Sequence, residues 1–581
     1  MGPVKLTQNA LSSPTRRITV AEFACALLKR WVPERRGRDT LGLAISGGVD
    51  SMALAALCSQ LQDLSQSSVH TPKQSSLRPL QFRAFIVDHG LRAGSALEAE
   101  AVSRVLEGRD IKNQILKIKW PEQGSLADLP NFESLARKYR FRLLGRACRD
   151  LGINSLLLAH HEDDQAETIL MRLALGQGAN GLTGMKNPAG IPECYGIHGV
   201  YESGGYVVEH RGNSTLSPSS LPRLNSPSER QLPIETGGIR VYRPFLHFTK
   251  SRLIATCLAE NIEWFEDHTN KEPTTTMRNA VRHMYSNHSM PAALSKPALL
   301  ALSERLNDTA ARRSHIVQSW LTKCKITRFE TSTGIVNVQF ADLSDSWEPE
   351  HARPPVDTGR IAAHILREII LLVTHREHVE LSSLHRAVQQ IFPEVCQHGG
   401  QNPQPIAFTA SGVYFQPIPT TLRQRETPNF IYEKPVWILS RQPYKPNSLD
   451  RIEIDVQAIR NSWSQWYFYD GRYWIRVQNL GTSPLLLKPF NPEQLAEFRA
   501  TLEGADDKRA SELRLRWQLK NKAPAKVRYT LPAIMKSEGG KETIIALPSL
   551  DLRIPGVMVR WEIRYKKIPS QTLANRVSRM P

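Results

Sequence analysis

The chain has 581 residues, 41% of them hydrophobic and 23% charged, a length that at about 150 residues per domain predicts three or four domains and a composition that argues against global disorder. Its 75 Lys and Arg against 56 Asp and Glu leave a net charge of +19, which favours an anionic partner, nucleic acid first and an acidic membrane surface second. No run of about 18 apolar residues is present to cross a membrane, and the seven scattered cysteines, none in a C-x-x-C pair, argue against a zinc ribbon or dithiol centre and for a reducing compartment.

Residues 1–21 carry Lys5, Arg16 and Arg17 and no acid, the bias of a mitochondrial leader or of a short tail. Residues 19–31 read as a short amphipathic helix, and residues 1–35 as a basic leader with an entry helix. The run 41–45 is a buried strand ended by Ser46-Gly47-Gly48, and 51–61 is a nearly all-apolar helix packed on a sheet. Strands at 82–87, 113–118 and 154–159 alternate with helices at 96–107, 132–152 and 163–176. That alternation predicts parallel βαβ units and an α/β domain over 36–285. Residues 190–238, rich in Ser and Pro, interrupt the pattern and read as an irregular insertion. Structure resumes at 242–246, followed by a helix at 249–260. Residues 286–440 read as a helical to mixed accessory domain, mostly helical over 295–395. Residues 441–581 read as a basic β-rich domain, with a hairpin turning at Asp470-Gly471 and strands at 513–520 and 559–566 from strict alternation.

Three motifs follow strands, at the sheet edge where open parallel sheets bind ligands. The strongest is SGGVDS, Ser46, Gly47, Gly48, Val49, Asp50 and Ser51. Its glycines let the backbone turn sharply and approach a ligand, and the helix behind them aims N–H groups at an anion. The chemistry fits pyrophosphate held as a leaving group, and no Walker A loop is present. An ordinary Gly-rich turn is the other reading. The second motif, HHEDDQAET, runs from His160 and His161 through Asp163, Asp164, Gln165 and Glu167. Its carboxylates project from neighbouring helix rows, suited to a cationic amine or to Mg²⁺ riding on ATP phosphates. A capped helix start with acids in its first turn explains the same residues. A dedicated zinc site lacks a third soft ligand. The third motif is Asp88-His89-Gly90-Leu91-Arg92. On helix 132–152, Glu133 and Arg137 form an i,i+4 pair beside Arg140, which alone reads as a solvated salt bridge.

Together these residues resemble the tRNA(Ile)-lysidine synthetase family of PP-loop ATP pyrophosphatases. The resemblance adds Gly178–Met185 (G-x-x-G-L-x-G-M), Arg243–Leu246, Asp267 with Thr269 and Asn270, and Arg278, Asn279, Val281 and Arg282. It covers about 40–285 in order. It implies a PP-loop fold of the adenine nucleotide alpha-hydrolase type. It further implies adenylation of the wobble cytidine of a CAU-anticodon tRNA(Ile) by ATP, then attack by the ε-amine of free L-lysine, releasing AMP and pyrophosphate. ATP would be a substrate, with Mg²⁺ and no dedicated metal site.

On this reading Ser46 to Ser51 with Asp88 and His89 form the ATP site. Asp164, with Asp163, Glu167 and Arg137, carries catalysis, the acids holding the ammonium and then taking its proton. Glu133, Arg140, His160, His161 and Gln165 line the lysine and cytidine pocket, and Arg278, Asn279 and Arg282 contact tRNA. In the last domain the basic run Lys508, Arg509, Arg514, Arg516, Lys520, Lys522, Lys526 and Arg528 faces one acid, Glu512. Arg514, Arg516 and Lys520 on one strand face suit RNA phosphates, though a basic solvated face fits equally. The sequence departs from the family in the length of 190–238 and in a weak match beyond 285. The alternatives are a tRNA thiolase, against which the absence of a paired-cysteine motif counts, an amide-forming PP-loop enzyme on a small metabolite, which would need neither the +19 charge nor a basic β domain, and a non-catalytic RNA-binding protein, against which the intact SGGVDS and HHEDDQAET count. A mitochondrial location is expected, a cytoplasmic one being the other option, and a homodimer is a candidate assembly.

Overall fold

The computed structural model describes residues 15–33, 39–67, 79–90, 94–120, 132–207, 231–265, 276–343, 357–396, 404–418, 434–444, 453–457, 459–502, 508–569 and 573–574. Residues 1–14, Leu91, Arg92, 208–230, Asp267, Thr269 and Asn270 lie outside that set, as do the side chains of Lys508, Arg509 and Glu512. The chain divides into two compact units, 1–195 with 199–201 and 237–311, and 196–198 with 202–236 and 312–581.

In the first unit α1 (Val20–Leu28) starts at a capping box. The Thr19 hydroxyl accepts from Glu22 N, and the Glu22 carboxylate accepts from Thr19 N. Strand β1 (Asp39–Ile45) leads into α2 (Val49–Ser67), whose residues Met52 to Cys58 are all fully buried. A helix apolar all round needs cover on every side, which the sheet and its neighbours supply. Then come β2 (Leu80–Asp88), α3 (Ser95–Glu107), β3 (Lys112–Lys117), α4 (Phe132–Asp150), β4 (Ser155–Leu157) and α5 (Glu162–Ala174). The sheet order is β3-β2-β1-β4, then strand Arg240–Tyr242, then Ala189–Gly190. All neighbours are parallel except that last edge strand. The chain thus builds outward from β1 through β2 to β3, then returns to lay β4 on the other side of β1. The switch in strand order falls between β1 and β4, and both major motifs emerge there, which is where such sheets bind ligands. Helices α6 (Lys250–Ala259), α7 (Met277–Asn287) and the start of α8 (Lys296–Lys323) complete the unit. Val281 of α7 and Leu299 of α8 pack with Ile169 and Leu170 of α5, docking α7 beside the acidic motif.

Among the described residues the second unit holds three five-stranded sheets. The hairpin at Asp470-Gly471 forms as expected between Tyr467–Tyr469 and Tyr473–Asn479, with φ of 47° and 58° at its two turn residues. Tyr469, Tyr473 and Trp474 are core residues, whereas Trp463 is 37% exposed. Arg472, fully buried, donates to Asp470 at 2.8 Å and to the Thr530 carbonyl at 2.6 Å.

Four expectations are corrected. Residues 513–520 are not a strand but part of a helix, Lys508–Asn521. Leu515, Gln518, Leu519, Lys522 and Ala523 are buried at helical spacing, while Leu513 and Trp517 stand 59% and 45% exposed. The alternation was matched by chance, and the segment holds no β-branched residue but many good helix formers. Arg514, Arg516 and Lys520 therefore do not share a strand face. The insertion 190–238 is not wholly irregular: Gly204–Val207 and Ile234–Gly237 are strands that extend the sheet of Tyr473–Asn479 and Val559–Tyr565. The stretch 295–395 contains the paired strands Lys325–Glu330 and Ile335–Gln339 among its helices. The β-rich part begins at Phe408, before 441, and includes a second helix, Pro492–Leu502. Among the described residues no helix is long and apolar enough to cross a membrane. Cys25, Cys58, Cys148, Cys194, Cys257 and Cys324 are free thiols.

Candidate active site

The turn after β1 is set by Gly47, whose φ is +84°. A Cβ there would lie 2.9 Å from Val102 Cγ2 on α3, so α3 fixes this turn from behind. Ser51 ties the loop shut. Its hydroxyl donates to the Gly48 carbonyl at 2.9 Å and accepts from Ser46 N at 3.2 Å. Phe265 N donates to the Gly47 carbonyl at 3.0 Å. At the end of β2, Asp88 accepts from Gly90 N and Ser95 Oγ at 2.9 and 2.8 Å, and the His89 carbonyl accepts from Trp120 Nε1. Asp88 and His89 therefore shape the adjoining turn.

The second motif opens α5. His161 is its N-cap, with Asp164 Oδ2 accepting from His161 N at 3.1 Å. His161 is buried among three acids: Nε2 lies 3.5 Å from Asp50 Oδ2 and 3.4 Å from Asp164 Oδ2, and Nδ1 lies 3.6 Å from Asp163 Oδ2. Burial opposes its charge, but Asp50 and Asp164 outweigh burial and raise its pKa. This residue joins the two motifs physically. Asp50 Oδ1, on the other side of that carboxylate, is buried without a hydrogen-bond partner.

The remaining acids are each met by a cation. Glu167, buried, accepts from Arg282 Nε at 2.9 Å and faces Arg278 Nε at 3.7 Å. Arg282 Nη2 donates to Asp164 Oδ1 at 3.2 Å. Burial tends to raise the pKa of Asp164, yet His161, His160 and the His161 N–H hold it below the ordinary value. Asp163 accepts from Lys250 N at 3.1 Å and from Lys296 Nζ. Burial pushes its pKa up, but Lys296 and the Lys250 N–H carry it below the ordinary value. Lys250 Nζ lies 3.9 Å from Asp50.

Beside this acidic lobe lies a basic one. His160 accepts from Arg243 Nε at 3.3 Å through Nδ1. Burial pushes its pKa down to about 3, against the pull of Asp164 and together with Arg243, Arg278 and Arg140. His160 is thus a neutral imidazole at pH 7. On α4, Arg137 and Arg140 stack on Phe141 at 4.8 and 5.3 Å, and Arg137 pairs with Glu193 at 3.5 Å. Glu133 is exposed one turn earlier. Gln165 does not face a ligand space freely: its Oε1 accepts from Met185 N at 2.7 Å, and Gly184, at φ +72°, leaves no room for a Cβ beside it. Arg172 fastens the same loop through the carbonyls of Gly181 and Gly184.

The structure therefore brings Asp50, His161, Asp163, Asp164 and Glu167 together. It adds Arg278 and Arg282, expected at the tRNA, directly against the carboxylates. Asn279 is buried on α7, its backbone N–H donating to the Thr276 hydroxyl at 3.0 Å. Arg243, Lys250 and Lys296 were missed as site residues. One signal existed for the lysines: each opens a helix, where the macrodipole disfavours a cation. Arg514 donates to the Asp551 carbonyl at 3.2 Å, whereas Arg516 and Lys520 lie exposed four apart on the outer face of their helix. Lys522 and Arg528 are held inside the unit, by Glu330 and by the Leu519 and Ala523 carbonyls. Among the described residues no group of three or more His, Cys, Asp or Glu could hold a metal ion.

Parallel sheet, glycine turn and strand switch define a nucleotide-binding PP-loop unit, and the family model described as a PP-loop domain matches residues 21–201 and 211–288. A Schizosaccharomyces pombe protein named "Probable tRNA(Ile)-lysidine synthase" is 25% identical over 92% of this chain and 95% of its own length. The tRNA(Ile)-lysidine synthase of Methylobacterium nodulans is 30% identical over 52% of this chain and 68% of its own. That of Bradyrhizobium diazoefficiens is 31% identical over 43% and 52%. The chain belongs to the tRNA(Ile)-lysidine synthase family.

Proposed function

We propose that this chain is an ATP-dependent ligase that joins free lysine to the wobble cytidine of a CAU-anticodon tRNA(Ile). The observation that carries the reading is the meeting of the SGGVDS loop with the acidic helix start through His161, 3.5 Å from Asp50 and 3.4 Å from Asp164. One motif suits a pyrophosphate leaving group and the other a cationic amine, and His161 of the second touches Asp50 of the first.

The chemistry divides between the lobes. The cytosine C2 oxygen is a poor leaving group, so it attacks the α-phosphorus of ATP and pyrophosphate departs. Backbone N–H groups at the start of α2 would hold that anion. The buried, unpartnered Asp50 Oδ1 is a hard oxygen donor that fits a Mg²⁺ carried in on the phosphates, which would neutralise charge there. Arg137, Arg140 and Arg243 around neutral His160 would steady the negative charge of the phosphate and of the activated base. The lysine nitrogen then attacks C2, the C2–O bond breaks, and AMP leaves.

The acids bind and aim the ammonium. Asp163 is the reachable one, 22% exposed against 9% for the Asp164 side chain. A carboxylate near pKa 4 cannot strip a proton from an ammonium near 10.4 at rest, since about 6 units at ~1.4 kcal/mol each oppose it. The proton leaves only as the C–N bond forms and the nitrogen becomes acidic. Asp164, saturated by Arg282 and His161, would position those groups.

The tRNA is proposed to use Arg516 and Lys520, with the exposed Trp517 beside them. Replacing both cations by alanine should raise the KM for tRNA several-fold and lower the salt slope by about 2, with the KM for ATP unchanged. Equal salt slopes would remove this face from the tRNA interface. Import into a mitochondrion remains our proposal for where the reaction runs. The function itself is tested by ATP–pyrophosphate exchange that depends on tRNA. A binding protein with this fold would give none.

A further inference from the structure

Every carboxylate at the site already holds a cation of the chain itself, so an incoming ammonium must displace one. The four candidates are not equally replaceable. Arg282 bridges Glu167 and Asp164 at 2.9 and 3.2 Å. Arg278 is shared between Glu167 and the Thr168 hydroxyl. Lys250 stands 3.9 Å from Asp50, and its firmer link to the site is its backbone N–H on Asp163. Lys296 differs from all three. Its Nζ reaches a single carboxylate, Asp163 Oδ1, from the end of a flexible stem, with the Tyr285 ring 5.3 Å away. Its side chain is 39% exposed, and its head group is the same primary ammonium as that of the substrate.

We propose that Lys296 is a tethered competitor of the amine substrate: it occupies the ammonium position on Asp163 until free lysine displaces it, and so sets the lysine concentration at which the enzyme works. The inference rests on lysine being the amine. A short tether gives an effective concentration on the order of millimolar. Against an intrinsic dissociation constant about tenfold lower, the tether raises the apparent constant roughly tenfold, because it competes for the same oxygen. Removing the tethered charge also leaves Asp163 without its counter-ion, which further favours an external ammonium.

Lys296→Met keeps an unbranched stem of similar length and removes the charge, and with it the ammonium's contact with the Tyr285 ring. The KM for lysine is expected to fall about tenfold, with the KM values for ATP and tRNA in place. Lys296→Gln, the second variant should the first not fold, is expected to do the same, and Lys296→Arg to keep the KM for lysine high. An unchanged or raised KM for lysine in the folded neutral variants overturns the proposal. A rise in the KM for tRNA alone overturns it as well and makes Lys296 an RNA contact. If the unaltered enzyme transfers no lysine at any concentration, the lysine reading itself has failed. If transfer is intact and only the KM fails to move, that reading stands without the competitor.

Discussion

Replacing Gly47 by alanine is expected to cut tRNA-dependent ATP–pyrophosphate exchange by about 100-fold or more, with far-UV circular dichroism unchanged. Two observations combine. The φ of +84° is a conformation that a side chain disfavours by about 1–2 kcal/mol. The added Cβ would also sit 2.9 Å from Val102 Cγ2 and 3.6 Å from the Phe265 ring. Relief requires the loop to move by several tenths of an ångström, away from the position in which its N–H groups would meet the phosphates under the proposed function. Misplacement on that scale costs a positioned reaction far more than it costs the fold. Gly48 offers the contrast: a Cβ there meets only Ser46 Oγ, at 3.8 Å, so Gly48→Ala should cost much less. Exchange within threefold of normal for Gly47→Ala would contradict this account of the loop.

Asp164→Asn is expected to lower the rate of lysine transfer about 1,000-fold. Asparagine keeps the shape but removes the charge that pairs with Arg282 at 3.2 Å and with the His161 ring at 3.4 Å. Hydrogen bonds to charged groups contribute about 1.5–3 kcal/mol each. Loss of two, at about 1.4 kcal/mol per factor of ten, gives a fall of ~10²–10⁴ if both act in the transition state. Because Asp164 positions Arg282 and His161, lysine transfer should suffer more than pyrophosphate exchange. The check is to measure both rates on one preparation. Transfer within threefold of normal, or exchange falling further than transfer, would remove Asp164 from the amine step.

The first unit was legible because its signals are local and mutually consistent. A buried apolar strand, two glycines and an apolar helix can be read in a single window around Ser46, and the same holds around His160. Parallel units place both windows on the same edge of the sheet, whereas the strand order itself is set by long-range packing. That Arg278 and Arg282 lie against Glu167 is not legible locally: nothing near them in sequence announces that acid. Lys296 is hidden for the same cause. The helix Lys508–Asn521 was misread because Leu513, Leu515, Trp517 and Leu519 satisfy a period of two, while burial selects Leu515, Gln518 and Leu519. An exposed Trp beside a buried Gln defeats a pattern built on hydrophobicity. The strand at Ile234–Gly237 escaped because its partner, Tyr565 opposite Ile234, lies more than three hundred residues away in the chain, and Gly204–Val207 adds to the sheet only through Ile234–Gly237.

The central claim is that one site activates a tRNA base with ATP and hands it to lysine. The most direct test is incorporation of labelled lysine into a CAU-anticodon tRNA(Ile) transcript, with and without ATP, beside a CAU-anticodon tRNA(Met). Labelling of the tRNA(Ile) alone, and only with ATP, is the predicted result. Release of AMP with no lysine on the RNA would contradict the amine assignment, and no AMP release under any condition would contradict catalysis altogether.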